Sequence, residues 1–451
     1  MPLTIDISRI PPYTLRNTPV FIIPFAILYL QAYLLLKYGP ASRVYRLALL
    51  PFSLSGITNA WLNHRVVEER YVIWNFVLGC SAVFFTVVSI VYSLLRHGPR
   101  RLTPTGRPAL DALHLITSPR LVGWSGGIPI RYDPYPEFPP RTDIKDSAAA
   151  NDQGGKRPPL TQQDVDRKAI KIHVKYAIVH YLLLDFITFT FQTVGRNGLG
   201  SVQGGSIYAA ADSVVDLFRT HLPRLFPSHP AWWTPLLTWL IRQSHLVLVH
   251  FATGMAFYQG LCFGYHLAAL AGMGILRQEA GQWPRLMDRP FKADSLLQFW
   301  GKRWHQIFRQ AFVAPSLLLP PHYRSLASPL IAFSISSLMH EMGTLTMVGS
   351  TSPRYQVTRA FLLFALGMTA EISFKKCTGR RVHGWWGRIW FWSFVIIFAR
   401  GLVDAWLGFG VGGAHLLPQW MSVWQQVEKA ARRGNLIRWL VKEAPGWKSA
   451  T

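Results

Sequence analysis

The chain has 451 residues, of which 50% are apolar, 14% aromatic and 15% charged. A soluble domain carries about 25% charged residues, and here the deficit sits in long apolar blocks, which excludes an ordinary soluble protein and marks a chain that lives in lipid. The formal charge of +25 suggests nucleic acid only where it gathers on a soluble face. Here Arg96, Arg100, Arg101 and Arg107 follow one apolar block, and Lys375, Lys376, Arg380 and Arg381 follow another. That is the pattern of cytosolic loops beside anionic lipid, so the bilayer is the expected partner and nucleic acid is not.

A membrane span needs about 20 mostly apolar residues. In chain order, 20–36 and 47–62 are the first candidates, and 71–95 is a clear third with no charge inside it. The first block is too long for a cleaved signal peptide and lacks its small-residue cleavage pattern, so it is read as a retained span. A polar stretch follows over 97–170, rich in Pro, Gly and both charge signs, and its section 134–159 reads as extended or disordered. Apolar helical sequence resumes at 173–194, with Asp185 inside it. Residues 196–235 read as a Gly-, Pro- and Trp-rich loop with an amphipathic piece. The block 236–276 is long for one span and short for two, and further blocks run over 325–348, 358–374 and 387–408.

These blocks predict an all-α, polytopic transmembrane bundle of about eight spans, one integral membrane domain over 1–451 with a long cytosolic loop at 97–170. Counting Lys and Arg puts the loops after the first, third, fifth and seventh spans in the cytosol. The tail then falls in the lumen although it carries Lys429, Arg432, Arg433, Arg438 and Lys442, unless it is an interfacial helix. Cys80, Cys262 and Cys377 have neither metal nor disulfide spacing, and no metal or bound cofactor is expected.

Ionisable residues inside spans are costly and mark function by default. His340 sits deep in an apolar stretch, with Ser336 and Ser337 about one helical turn back on its face, placed to bond its ring or line a polar channel. An imidazole suits general-base work near neutral pH; a packing histidine bonded to a neighbouring span is the plain alternative. His340-Glu341 is not the start of a zinc peptidase helix, because His-Glu-x-x-His needs histidine where Thr344 stands. Before this span lies Phe299-Trp300-Gly301-Lys302-Arg303-Trp304-His305-Gln306. Trp300, Lys302, Arg303 and Trp304 suit a membrane–water anchor, which leaves His305 and Gln306 unexplained.

The order Trp283-Pro284, Ser295-Leu296, Phe299-Trp300, Trp304-His305-Gln306, Phe333 and Ser336 to His340 resembles the wax synthase-like branch of the membrane-bound O-acyltransferases. Weaker matches are Ser118-Pro119-Arg120-Leu121-Val122-Gly123-Trp124, Pro134-Tyr135-Pro136, Tyr181 to Asp185, and Glu371, which look closest to fungal secondary-metabolite O-acetyltransferases. Two departures stand out: Ser337 and Leu121 occupy positions where relatives usually have glycine. The resemblance implies His340 as the base and His305 as a group that orients substrate or stabilises an oxyanion, with Gln306 assisting. It implies an acyl-CoA co-substrate, acetyl-CoA by preference, with its nucleotide near Lys302, Arg303 and Arg309, and a lipophilic terpenoid alcohol as acceptor. Trp300, Trp304, Ser336 and Ser337 would then contact substrate, in a multi-pass protein of the endoplasmic reticulum. A long-chain wax or sterol ester synthase is the nearest rival. A transporter is the rival of another class, which inverted repeats would support; the two halves show no such similarity.

Overall fold

In a computed structural model the described residues are 2–125, 161–195, 197–225 and 232–433. The section 134–159, read above as extended, lies outside them. Among the described residues regular structure is helical, and β pairing is confined to isolated bridges such as Thr4 with Ser350. The helices are α1 (Ile22–Tyr38), α2 (Arg43–Ile57), α3 (Ile73–Leu94), α4 (Pro108–Ile116), α5 (Gln162–Val194), α6 (Ile207–Leu225) and α7 (Trp233–Gly274). They continue with α8 (Pro321–Val348), α9 (Gln356–Thr378), α10 (Gly384–Phe398), α11 (Arg400–Gly408) and α12 (Val423–Arg433).

Among the described residues six helical stretches are long and apolar enough to cross a membrane: Leu15–Leu62, Ile73–Leu94, Gln162–Val194, Trp233–Gly274, Pro353–Thr378 and Gly384–Gly408. The first holds both α1 and α2, and backbone polar groups in lipid are satisfied within such helices. The block 236–276 is one continuous helix, α7, of 42 residues. The helix carrying His340, α8, has 28 residues but is diluted by serines, prolines, His340 and Glu341, and it is not among the six. The fold is therefore all-α and polytopic.

The chain divides into two compact units: Met1–Val67 with Trp74–Ile178 and Leu261–Ala405, and Glu68–Ile73 with Val179–Gly260 and Trp406–Thr451. The division falls within α5 and α7. In the first unit, a core of Leu28, Ala32, Leu35, Val83, Ala112, Leu115, Phe312 and Met339 joins α1, α3, α4 and α8. Part of the stretch 97–170 is thus built into the core: α4 buries Ala112, His114 and Leu115. Buried Arg46 closes the carbonyl ends of two helical segments, donating to the carbonyls of Tyr92, Leu95 (2.7 Å) and Gly39 (3.2 Å), groups a helix terminus leaves unpaired.

In the second unit, a Gly-rich turn after α5 packs against the end of α11, Gly205 N donating to Leu407 O at 3.1 Å. Asp185 accepts from Trp424 N at the start of α12 (3.2 Å), and the Tyr181 hydroxyl donates to Met421 O (2.6 Å). A carboxylate at a helix N-terminus is favourable, so these two residues anchor α12.

Candidate active site

The residues singled out before His340 form a folded loop rather than a surface anchor. Ser295 caps a short turn, its hydroxyl accepting from Gln298 N at 3.0 Å. Phe299–Arg303 then makes a wide π-type turn, closed by Trp304 N donating to Phe299 O at 2.8 Å. The start of the turn is held by Glu371 of α9, whose carboxylate accepts from Leu296 N (2.7 Å), Leu297 N (2.8 Å) and Trp390 Nε1 (2.9 Å). At its end Gln306, 2% exposed, donates to the carbonyls of Trp300 (3.0 Å) and Trp304 (2.7 Å). Gln306 is thereby a brace for the turn that presents His305.

Within the turn, Trp300 is turned inward, its ring 5.5 Å from Phe333 and 5.1 Å from Phe364. Trp304 stacks on Phe299 at 5.3 Å and lies 5.8 Å from His305. Arg303 is a clamp: it donates to Gln298 Oε1 (2.8 Å) and Asp288 O (3.0 Å), while Asp288 N donates back to Arg303 O (2.9 Å). Lys302 is exposed, so of these two cations Lys302 faces outward and Arg303 is engaged within the loop.

His340 is oriented by its own helix. Its Nδ1 lies 2.7 Å from Ser336 O; a carbonyl only accepts, so Nδ1 carries the proton and the lone pair of the neutral ring sits on Nε2. The bond uses the backbone of Ser336, not its hydroxyl, and the Ser337 hydroxyl turns back to Ser334 O at 2.8 Å. Glu341 points elsewhere, accepting from Ser352 N (2.9 Å), Ser352 Oγ (2.6 Å) and Thr358 N (3.1 Å). It ties α8 to the start of α9, as a bonded carboxylate buried in protein must be tied to something.

His340 stacks on Phe361 at 4.4 Å and lies 6.0 Å from Phe76. Phe361 is 6.1 Å from Phe333, which meets Trp300, so one aromatic lining runs from α8 to the turn of His305. On the other side His305 is 5.7 Å from Phe308, and Phe308 is 5.1 Å from Phe84. Phe76, Cys80 and Phe84 are spaced to share one face of α3, and Cys80 Sγ lies 3.4 Å from Met339 O. None of these α3 residues is singled out by the sequence, because each is an apolar residue in a mostly apolar helix whose buried polar side chains Asn75, Ser89 and Ser93 lie on another face.

Both imidazoles are half-buried. Burial, then the neighbouring His340 and then Arg120, push the proton affinity of His305 down to about 3, so its ring is neutral. Three buried polar atoms here have no hydrogen-bond partner in the protein: Trp300 Nε1, His305 Nδ1 and Gln306 Oε1. Such atoms are costly unless something binds to them.

The features define a class first: a polytopic helical membrane protein in which two half-buried histidines are joined through a chain of aromatic contacts. The segment carrying both, residues 283–366, matches the membrane bound O-acyl transferase family, and over this segment the chain is similar to that family. Among curated proteins it is 28% identical over 152 residues to acetyltransferase ataH of Aspergillus terreus, covering 30% of this chain and 50% of that protein. It is 31% identical over 116 residues to acetyltransferase spyB of Aspergillus fumigatus, covering 24% and 20%. It is 30% identical over 144 residues to acyl-CoA–sterol O-acyltransferase 1 of Arabidopsis thaliana, covering 30% and 40%. The matches thus span half the length of the first relative and less of the others. No solved structure matches the chain.

Proposed function

We propose that the protein is an O-acyltransferase that moves an acetyl group from acetyl-CoA to a hydroxyl of a terpenoid-type lipophilic alcohol, within the endoplasmic reticulum membrane. The observation that carries this reading is the pairing of His340, its Nδ1 proton tied to Ser336 O, with a neutral His305 whose Nδ1 has no partner in the protein. His340 Nε2 takes the proton of the alcohol as its oxygen attacks the thioester carbon. His305 donates Nδ1–H to the carbonyl oxygen while negative charge grows there, an interaction worth about 3 kcal/mol in such sites. The C–S bond then breaks, and the CoA sulfur recovers the proton from the His340 imidazolium. No covalent acyl-enzyme and no metal is invoked. Trp300 Nε1 offers a second buried donor beside the same path, and the aromatic lining suits a hydrocarbon acceptor.

The choice of donor and acceptor leans on relatives named as acetyltransferases, and a relative named as a sterol acyltransferase keeps the long-chain alternative in the test. Membranes holding wild type or His340→Ala at matched levels are offered labelled acetyl-CoA or long-chain acyl-CoA with hydroxylated terpenoids, sterols and fatty alcohols. Label passing from acetyl-CoA to a terpenoid in wild type alone supports the proposal. Transfer only from long-chain donors makes the protein a wax or sterol ester synthase, and equal transfer by His340→Ala removes His340 from the mechanism.

A further inference from the structure

The helix α12 (Val423–Arg433) is amphipathic, but its apolar side is not the side that packs against the protein. Successive residues turn by about 100°, so Val423, Val427 and Ala430 share an arc of about 60°; all three are exposed. Trp420, in the short turn that leads into the helix, is 73% exposed. Lys429 and Arg432 lie about 130–170° round from the centre of that arc and are exposed as well. A surface helix of a soluble protein turns its apolar stripe to the core and its charges to water. In α12 the stripe faces out.

Other residues of the helix make the contact with the protein. Trp424 N donates to Asp185 Oδ2 (3.2 Å), Trp424 Nε1 to Leu182 O (3.3 Å) and Gln425 Nε2 to Gln192 Oε1 (3.0 Å). The Trp424 ring lies 5.1 Å from Phe186. All four partners are on α5, a helix long and apolar enough to cross a membrane, and beside them α5 shows its own exposed apolar side chains, Leu183 and Phe186. The first turn of α12 is thus fixed to a membrane helix, and its apolar arc is left on the outside.

Charge indicates what covers that arc. Arg432 pairs with Glu428 at 2.7 Å, yet its side chain stays 71% exposed, and such exposed pairs contribute little. Over 423–451 the sequence carries six Lys and Arg against two Glu. A lipid surface supplies both partners at once, hydrocarbon for the arc and phosphate for the cations, and it is where tryptophan prefers to sit. We infer that α12 lies along the membrane surface and binds anionic phospholipid. Trp420, Val423, Val427 and Ala430 enter the boundary of the acyl chains, and Lys429 and Arg432 meet the headgroup phosphates. The long stems of the two cations let their charges reach the phosphates while the backbone sits lower. This surface is separate from the histidines of the loop and α8, and it holds whatever reaction they perform.

The test uses the full-length protein with its exposed cysteine removed by Cys377→Ser, in nanodiscs of phosphatidylcholine alone or mixed with phosphatidylserine. Val427→Cys or Lys429→Cys carries an environment-sensitive NBD fluorophore; neither position is among those bonded to α5. At 427 the emission is blue-shifted and quenched by nitroxide-labelled lipid, while at 429 it is red and quenched by aqueous iodide. In discs with phosphatidylserine, adding Lys429→Gln to the 427-labelled protein lowers the ratio of blue to red emission about fivefold, the effect of one cation near an anionic surface. In phosphatidylcholine alone the same change does little. Emission at 427 as red as at 429, with iodide reaching both alike, overturns the inference. A blue shift seen only when two copies share a disc also overturns it, because the arc is then a contact between copies. A ratio that ignores both phosphatidylserine and Lys429→Gln overturns the choice of anionic lipid.

Discussion

His340 and Glu341 are adjacent in the chain, and helical geometry sends them about 100° apart, one into the aromatic lining and the other into the junction with α9. Their substitutions should separate accordingly. His340→Gln removes a base and a bond local to α8, so transfer falls by about 10²- to 10⁴-fold while thermal unfolding in detergent stays near wild type. Glu341→Ala strands the buried donors of Ser352 and Thr358 and lowers stability by about 3 kcal/mol. Unfolding curves and rates measured on the same preparations decide this, and a Glu341→Ala protein as stable as wild type would contradict it. Leu121 poses a smaller problem of the same kind. It sits in the left-handed region, which costs a non-glycine residue about 1 kcal/mol or more. Leu121→Ala loses the half-buried side chain and keeps the strain, whereas Leu121→Gly loses the side chain and releases it. The glycine variant should therefore melt higher than the alanine variant, the reverse of their order inside a helix.

Between elements, the position of His340 depends on how closely α3 approaches α8. Gly79 and Gly343 face each other there: a Cβ on Gly79 would lie 2.6 Å from Met342 O, and one on Gly343 would lie 2.7 Å from the Phe76 ring and 2.9 Å from Cys80 Sγ. Small residues allow this approach in membrane helices, where packing rather than hydrophobicity drives association. Gly343→Ala pushes α3 away by the ring that also lines the space beside His340, so overpacking of about 1–3 kcal/mol comes with a fall in transfer; Gly254→Ala, which meets nothing nearby, is the control on an unrelated helix. Equal rates for the two variants would show that the α3 approach does not set the site. This contact is also where sequence reading stops. His340 stands out because a polar group in an apolar run is expensive and therefore conspicuous, whereas His305, in a loop with Lys302 and Arg303, is picked out through the resemblance. Phe76, Cys80 and Phe84 are not, because α3 is mostly apolar and the face they share carries no polar residue to mark it. The roles of Arg303, Gln306 and Glu371 were hidden for another reason: each bonds backbone groups of a π-type turn that has no periodic signature, so Arg303 reads as a phosphate contact and Gln306 as a substrate contact until the turn is seen.

At the scale of the whole molecule, the helical membrane character was legible from apolar block lengths, and α4 was not, since its Pro- and charge-rich surroundings read as loop while one narrow face enters the core. Orientation in the bilayer follows from charge and is open to a direct check. α8 and α9 form an antiparallel hairpin joined by the short connection 349–355, so the start of α8, the nearby loop of His305 and the end of α9 share one side. That side carries Lys302, Arg309, Arg324, Lys375, Lys376, Arg380 and Arg381, and positive loops resist translocation, which predicts a cytosolic side. Cys377 lies at this end and is exposed, whereas Cys262 is buried and Cys80 is half-buried in α3. In sealed vesicles with the cytosolic face outward, a membrane-impermeant maleimide should label Cys377 without detergent, and Cys377→Ser should lose that label. Labelling that requires detergent would invert the hairpin, and with it the loop of His305. A CoA thioester, whose charged nucleotide cannot cross lipid, would then have to reach His305 from the lumen. The positive loop charge would in that case need another explanation than retention in the cytosol, so this one label tests the charge argument and the route of the acyl donor together.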